Sequence, residues 1–502
     1  MYDDNHLLHR LAARGAPDQV FATRPGAPDV TYKALFQGAE GMAAALVAHG
    51  LQPGDRIAMQ VEKSLEAVQL YLATVMAGGV FLPLNTAYTA AEVAYFLTDA
   101  TPRIVVCDPT REGEITPLAN GATVLTLALD GTGTLTDAAQ GQGGFSAYPR
   151  TADDLAAILY TSGTTGRSKG AMLSHANLAS NSETLREAWG FTHDDVLIHA
   201  LPIFHTHGLF VATNVALLAG ACVHFLPKFD ADAIIAAMPT STALMGVPTF
   251  YTRLLDHPGL TRETVSNMRL FVSGSAPLLV DTHEKWAATT GHRILERYGM
   301  TETNMNTSNP LNGERRAGTV GFPLPGVELR IVDGERQVPQ GDIGVLEVRG
   351  PNVFKGYWQM PEKTAEELRP DGWFITGDQG FTDADGYVTI VGRAKDMIIS
   401  GGFNIYPAEI ERELLSHPDV IEAAVIGVPD EDWGEGVKAV VELREGATGD
   451  ADALIALCKA RLGSLRAPKS VDFRDSLPRN ATGKVLKREI RAPYWAGRDR
   501  AI

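Results

Sequence analysis

The 502-residue chain has only three cysteines, Cys107, Cys222 and Cys458, and they stand far apart. An odd, scattered set offers neither a disulfide framework nor metal-ligand spacing, so these thiols read as small buried apolar groups. Long apolar runs are absent too, and none reaches the ~18 residues that a membrane span needs. The opening stretch, Met1-Tyr-Asp-Asp-Asn-His6, is acidic and has no signal-peptide core. These absences predict a reduced, cytoplasmic protein with no membrane partner. Positive charge is scarce as well: 44 Lys and Arg against 60 Asp and Glu leave a net charge of −16. A general nucleic-acid binder needs a basic face, so nucleic acid is not an expected partner. The exception is local, where Arg479, Lys484, Lys487, Arg488 and Arg491 lie close together in a stretch suited to solvent or to polyphosphate ligands.

The composition is that of an ordinary globular chain, 45% hydrophobic and 21% charged. Single cores rarely grow beyond ~250–300 residues, so two or more domains are expected. Short apolar runs alternate with helical patterns over most of the chain, as in α/β layers. Arg103–Asp108, Leu155–Tyr160 and Leu270–Ser273 read as strands, and Ser64–Met76 reads as a helix ending at Gly78-Gly79. From about Gly341 the texture shifts to short strands such as Gly344–Arg349 and Gly386–Val391. Pro407–Ser416 then starts a helix, with Ile410 and Leu414 on one face, and a strand is expected over Val420–Val428. The expected division is an N-terminal domain, 1–394, and a small α+β C-terminal domain, 395–502.

The segment with most chemistry is Tyr160-Thr-Ser-Gly-Thr-Thr-Gly-Arg-Ser-Lys169-Gly170, directly after the apolar Leu155–Leu159. Glycines, hydroxyls and one lysine after a buried strand can wrap N–H groups and side chains around phosphates. It is not a Walker A loop. Gly163 and Gly166 are three apart, and Gly170 stands where a magnesium-binding Ser or Thr should follow Lys169. A kinase or ordinary P-loop ATPase is therefore not expected.

Four more segments follow in order: Pro202-Ile-Phe-His-Thr-His-Gly-Leu209, Tyr298-Gly-Met-Thr-Glu302, Trp373-Phe-Ile-Thr-Gly-Asp378 and Pro478-Arg-Asn-Ala-Thr-Gly-Lys484. With the loop, they resemble the acyl-CoA synthetase branch of the adenylate-forming superfamily, over essentially the whole chain. The resemblance implies an α/β fold: a large N-terminal domain of mixed sheets, helices and a small β-barrel, plus a small mobile α+β C-terminal domain. It implies ATP, Mg²⁺ and coenzyme A as cofactors. Thr161, Ser162, Gly163, Thr164, Thr165, Gly166 and Lys169 would hold the β- and γ-phosphates. Tyr298, with Gly299 and Met300, would pack on adenine, and Thr301 would touch the α-phosphate. Glu302 would coordinate Mg²⁺, for which a carboxylate is a suitable hard ligand. Asp378 and Arg393 would bind ribose. Ser400, Gly401, Gly402 and Phe403 would meet the pantetheine of CoA, and Lys395 would be the hinge. Lys484, Thr301, Glu302 and His205 form the implied catalytic set. Lys484 would offset charge as the carboxylate joins the α-phosphate. It is also where the resemblance suggests a lysine acetyltransferase and deacetylase as partners, because acetylation removes that charge.

The acid is read from the residue before Tyr298, which in relatives lines the acyl site. Here it is Arg297, and a buried guanidinium needs an anionic partner that a fatty or aryl acid lacks. A second carboxylate would supply one. With His207, Ser275, Thr206 and Met305, the neighbouring segments resemble those of malonyl-CoA synthetases. That implies ligation of malonate, with methylmalonate also accepted. Three alternatives stay open: a ligase for a short or medium monocarboxylic acid, a peptide-synthetase adenylation domain, and an inactive nucleotide-binding module. Arg297 could also pair with Glu296, and Arg253 is a second candidate for the distal carboxylate.

Overall fold

The computed structural model describes residues 2–161, 168–479 and 485–496. Its chain divides by compactness into Met1–Leu329 with Val348–Phe374, and Arg330–Glu347 with Ile375–Ile502. The short-strand segment expected to close the N-terminal domain thus falls mostly in the second unit. Compactness and the expected 394/395 boundary are different properties, and the second concerns motion.

In the first unit a nine-stranded sheet has a parallel centre: Leu295–Met300, Leu270–Ser273, Ala243–Gly246, Val196–His199, Cys222–Phe225 and Val20–Arg24, in that spatial order. Antiparallel strands finish both edges. The central strands Leu270–Ser273 and Ala243–Gly246 are buried throughout, as expected for parallel strands covered on both faces. A second, six-stranded sheet contains Ile104–Cys107, Arg56–Gln60, Val80–Pro83 and Leu155–Thr161 in parallel. The expected helix is present as Leu65–Met76. It is capped by Ser64, whose side chain accepts from the Ala67 N–H, and almost all of it is buried. The strands expected at 103–108, 155–160 and 270–273 form within a residue or two.

The second unit carries two smaller sheets. Where a small β-barrel was expected, five strands from Arg336–Gln337 to Val388–Arg393 pair as an open path, and among the described residues the ladder does not close. The end strand Arg336–Gln337 has only two residues, too short to complete a ring. The other sheet is built on Val420–Asp430 and Gly434–Leu443, with helix Pro407–Leu415 burying Ile410 and Leu414 against it. Among the described residues no helix is long and apolar enough to cross a membrane.

Candidate active site

In open α/β sheets, ligands bind beyond the carboxyl ends of the parallel strands. The expected acid-pocket residues meet that condition. Ser275 follows strand Leu270–Ser273, His205, Thr206 and His207 follow Val196–His199, and Arg297 lies in the adjoining Leu295–Met300.

Arg297 is 3% exposed, and its Nε and Nη2 are buried without a hydrogen-bond partner. Those two donors form one edge of the guanidinium, the fork that accepts a carboxylate side-on. Burial draws its pKa down to about 9, while Tyr251 and Glu296 act in the opposite sense, so it keeps its charge at neutral pH. The expected alternative pairing with Glu296 does not form as a salt bridge. Consecutive strand residues point to opposite faces, and a Glu296 carboxylate oxygen instead accepts from the Leu278 N–H at 3.0 Å. Arg253 lies over the Phe229 ring at 4.2 Å, a cation–π contact that gives it a different partner from the acid pocket.

The guanidinium has room only because residue 274 has no side chain. A Cβ at Gly274 would stand 2.3 Å from Arg297 Cζ and 2.5 Å from Nη1. Gly274→Ala should therefore lower stability by about 1–3 kcal/mol through overpacking, read as a fall in Tm. An unchanged Tm would show that the pocket yields to the methyl group without cost. Ser275 follows at φ 72°, an uncommon conformation for a non-glycine residue and one that clusters at functional sites. Its hydroxyl is 3.4 Å from His207 Nδ1, while His207 Nε2 is buried and unpartnered. His205 Nδ1 accepts from the His207 backbone N–H at 3.2 Å, so a neutral His205 carries its proton on Nε2. Burial, then the Arg297 charge, lowers the His205 pKa to about 4, and the same causes hold His207 well below its ordinary value. Thr206 donates to Asn304 Oδ1 at 2.6 Å, and the Met305 backbone is held by Asn181 and Asn352. Buried polar atoms left without partners are rare in folded proteins. Here Ser273 Oγ, Thr303 Oγ1 and Asn304 Nδ2 add to those of Arg297 and His207.

The expected phosphate loop has a framework that sequence did not foresee. Leu155–Thr161 turns back as the antiparallel strand Lys169–Ser174, with Thr161 opposite Lys169. It is a strand–loop–strand hairpin, so no helix dipole follows the loop as in a Walker A site. Ser162, Gly163, Thr164, Thr165 and Gly166 lie outside the described residues. Lys169 is buried, and its ammonium donates to Tyr357 Oη at 3.0 Å and to both Glu367 oxygens at 3.0 and 3.1 Å. The Tyr357 hydroxyl is 2.6 Å from Glu367 Oε2 and 2.9 Å from Glu302 Oε1. It has one proton, so it can donate to only one carboxylate at a time. Burial raises the Tyr357 pKa strongly, and the flanking carboxylates add to the effect. Lys169 and Glu302, expected at phosphate and metal, are thus tied into one network through Tyr357 and Glu367. Those two residues lie roughly 190 and 200 positions from Lys169, and no local signal in the sequence marks them.

Tyr298, Gly299 and Met300 close the strand Leu295–Met300, and Thr301 and Glu302 fall in the turn before Asn304–Ser308. Among the described residues no three His, Cys, Asp or Glu side chains cluster as a metal cage. Mg²⁺ is usually held by one or two carboxylates together with substrate phosphates, so the buried Glu302 carboxylate fits the ion.

In the second unit Asp378 and Arg393 face each other on antiparallel strands, with Arg393 Nε 2.8 Å from Asp378 Oδ1. Lys395 stands in the turn Ala394–Asp396 between two strands. Ser400 pairs with Phe403 across a two-residue turn in which Gly401 and Gly402 have φ of 58° and 83°. Positive φ at both central positions is what a type I′ hairpin requires, and glycine meets it without steric cost. The hairpin leaves Phe403 56% exposed. Lys484 lies outside the described residues.

Comparison with known proteins matches the AMP-binding enzyme model to residues 10–358 and the AMP-binding enzyme C-terminal domain to residues 409–484. The chain belongs to the AMP-binding enzyme family. Among curated members, a feruloyl-CoA synthase of Amycolatopsis sp is 38% identical, covering 94% of this chain and 96% of that one. A malonate–CoA ligase of Arabidopsis thaliana is 37% identical, covering 88% of this chain and 78% of that one. Among solved structures, ATP-bound MatB from Rhodopseudomonas palustris is 59% identical, with a TM-score of 0.95 over 98% of this chain and 99% of that one.

Proposed function

We propose that this AMP-binding enzyme is an ATP-dependent malonate–CoA ligase. The observation that carries the reading is the buried, unpartnered Nε/Nη2 edge of Arg297. A monocarboxylic acid would leave that edge unsatisfied, whereas the distal carboxylate of malonate completes it. Similarity to the Arabidopsis malonate–CoA ligase and to the ATP-bound MatB structure supports the same reading.

The chemistry proceeds in two displacements. A carboxylate oxygen of malonate attacks the α-phosphorus of ATP, the bond to the bridging oxygen breaks, and pyrophosphate leaves with the electron pair. The CoA sulfur then attacks the carbonyl carbon of malonyl-AMP, AMP departs, and the thiol proton is lost to solvent. Arg297, with His207 and Ser275, holds the distal carboxylate and so fixes the orientation of the reacting one. Thr206 and Met305 line the pocket. Neutral His205 offers its Nε2–H as a donor. The phosphates fall to Thr161 and Lys169 with the loop between them, adenine to Tyr298, Gly299 and Met300, and ribose to Asp378 and Arg393. Glu302, beside Thr301, would hold Mg²⁺, which neutralises phosphate charge when bound. Lys484 supplies the cation at the forming acyl-phosphate bond. Ser400, Gly401, Gly402 and Phe403 serve CoA, and Lys395 is the hinge of a boundary at 394/395. Methylmalonate as a second substrate and a cytoplasmic location belong to the same proposal.

The histidines give a pH test. His205 is neutral until the pH falls toward about 4, and His207 is held neutral by the same causes. The KM for malonate should therefore stay flat between pH 6.5 and 8, where an ordinary histidine would titrate. A step near 6.5 would contradict the buried, neutral assignment. The reaction itself is tested by incubating the protein with malonate and ATP, with and without CoA. Malonyl-CoA and AMP are expected only with CoA, and a protein that forms neither is not this ligase.

A further inference from the structure

Lys63 is buried, and none of its recorded partners is a carboxylate. Burying an ammonium without an anion is costly unless all its donors are satisfied. Lys63 Nζ lies 2.7 Å from His199 O, 2.7 Å from Leu226 O and 3.0 Å from His199 Nδ1, and it stands over the Phe225 ring at 4.4 Å. Its three protons therefore have three acceptors, provided that His199 Nδ1 presents a lone pair.

The other side of the ring settles that tautomer. His199 Nε2 is 2.9 Å from Gly208 O, and a carbonyl can only accept, so the ring proton is on Nε2. Gly208 O is also the acceptor for Thr213 Oγ1 at 3.0 Å. This carbonyl belongs to the residue next to His207, at the start of the π-helical turn His207–Thr213. Such turns are rare and occur frequently at functional sites. A Cβ at Gly208 would stand 2.0 Å from Pro202 O, so the backbone here is pinned on two sides. The ring thus links Lys63, in the connection between strand Arg56–Gln60 and helix Leu65–Met76, to the segment that carries His207.

We propose that Lys63 and His199 are positioning residues of the acid pocket: Lys63 fixes the His199 tautomer, and His199 Nε2–H anchors the Gly208 carbonyl so that His207 meets the distal carboxylate. Both residues act through other groups of the protein and are not among those proposed to bind the substrate. The inference rests on the malonate reading of the Arg297 pocket.

Two substitutions divide the ring's functions. His199→Asn keeps an acceptor near the Nδ1 position for Lys63 but cannot reach Gly208 O. His199→Gln keeps a donor near the Nε2 position. His199→Asn should raise the malonate KM by about 3- to 10-fold, the effect of one hydrogen bond. The KM for ATP should stay within about twofold, and His199→Gln should restore the malonate KM to within about twofold of wild type by keeping that one bond. Tm values for both variants separate this from general destabilisation. Should His199→Asn fail to fold, Thr213→Val removes the other donor to the same carbonyl and should raise the malonate KM in the same direction. The proposal is overturned by an unchanged malonate KM in the folded variant, by equal rises for malonate and ATP, or by His199→Gln behaving as His199→Asn. A wild-type enzyme that rejects malonate but activates another acid would defeat the malonate reading instead. The same variants measured on that acid's KM would then decide the positioning claim.

Discussion

Replacing Lys484 with Ala should abolish malonyl-AMP formation while leaving the conversion of preformed malonyl-AMP and CoA to malonyl-CoA largely intact. The first half-reaction brings an anionic carboxylate to an anionic α-phosphate, so a fixed cation there acts on charge that develops in the transition state. Removing one such preorganised group typically costs ~10²–10³-fold in rate. The second half-reaction attacks a carbonyl that is already activated and does not need that cation. The assignment rests on Pro478-Arg-Asn-Ala-Thr-Gly-Lys484 and on the C-terminal family match, which runs to residue 484. The flanking Arg479 and Val485 pair in an antiparallel bridge, and Arg479 is tied to Glu422 at 3.0 Å. Single-turnover assays of each half-reaction make the comparison. If adenylation by Lys484→Ala matched wild type, or both half-reactions fell together, the assignment would be wrong.

The second large effect is expected at Arg297. Removing one partner of a desolvated charge pair typically costs ~2–5 kcal/mol, so Arg297→Ala should lose roughly 30- to 3,000-fold in malonate kcat/KM. The residues proposed for ATP are different ones, so the KM for ATP should move little. Arg297→Lys should not rescue fully, because an ammonium lacks the planar two-donor edge of the guanidinium. Malonate kinetics unchanged in Arg297→Ala would remove the basis for the diacid clamp.

The elements were legible where local pattern decides structure. The apolar pattern over Ser64–Met76 reads as a helix, and the structure forms it as Leu65–Met76 with Ser64 as its cap; Leu270-Phe-Val-Ser273 reads as a strand, and the structure buries it in the parallel sheet. Ser275 and His207 follow two strands of the parallel sheet and Arg297 lies within a third, which brings the three to the same end of that sheet. The sequence did not reveal partnerships made across long chain separations. Glu367 and Tyr357 reach Lys169 only through tertiary packing, and Lys63 reaches His199 across 136 residues. Gly274 was visible within Ser273-Gly-Ser-Ala-Pro277, but its function as space for a guanidinium depends on the adjoining strand. The small sheet around Gly344–Arg349 precedes the expected 394/395 boundary, which concerns motion and not compactness. Its packing places most of it with the C-terminal unit.

Besides its reacting carboxylate, malonate carries a second one that the Arg297 edge would receive. The most direct measurement is pyrophosphate release by the wild-type enzyme over malonate, methylmalonate, succinate, acetate and hexanoate at equal concentration. The clamp predicts the highest kcat/KM for malonate, with acetate and hexanoate far below it. Acetate or hexanoate equal to or better than malonate would contradict it.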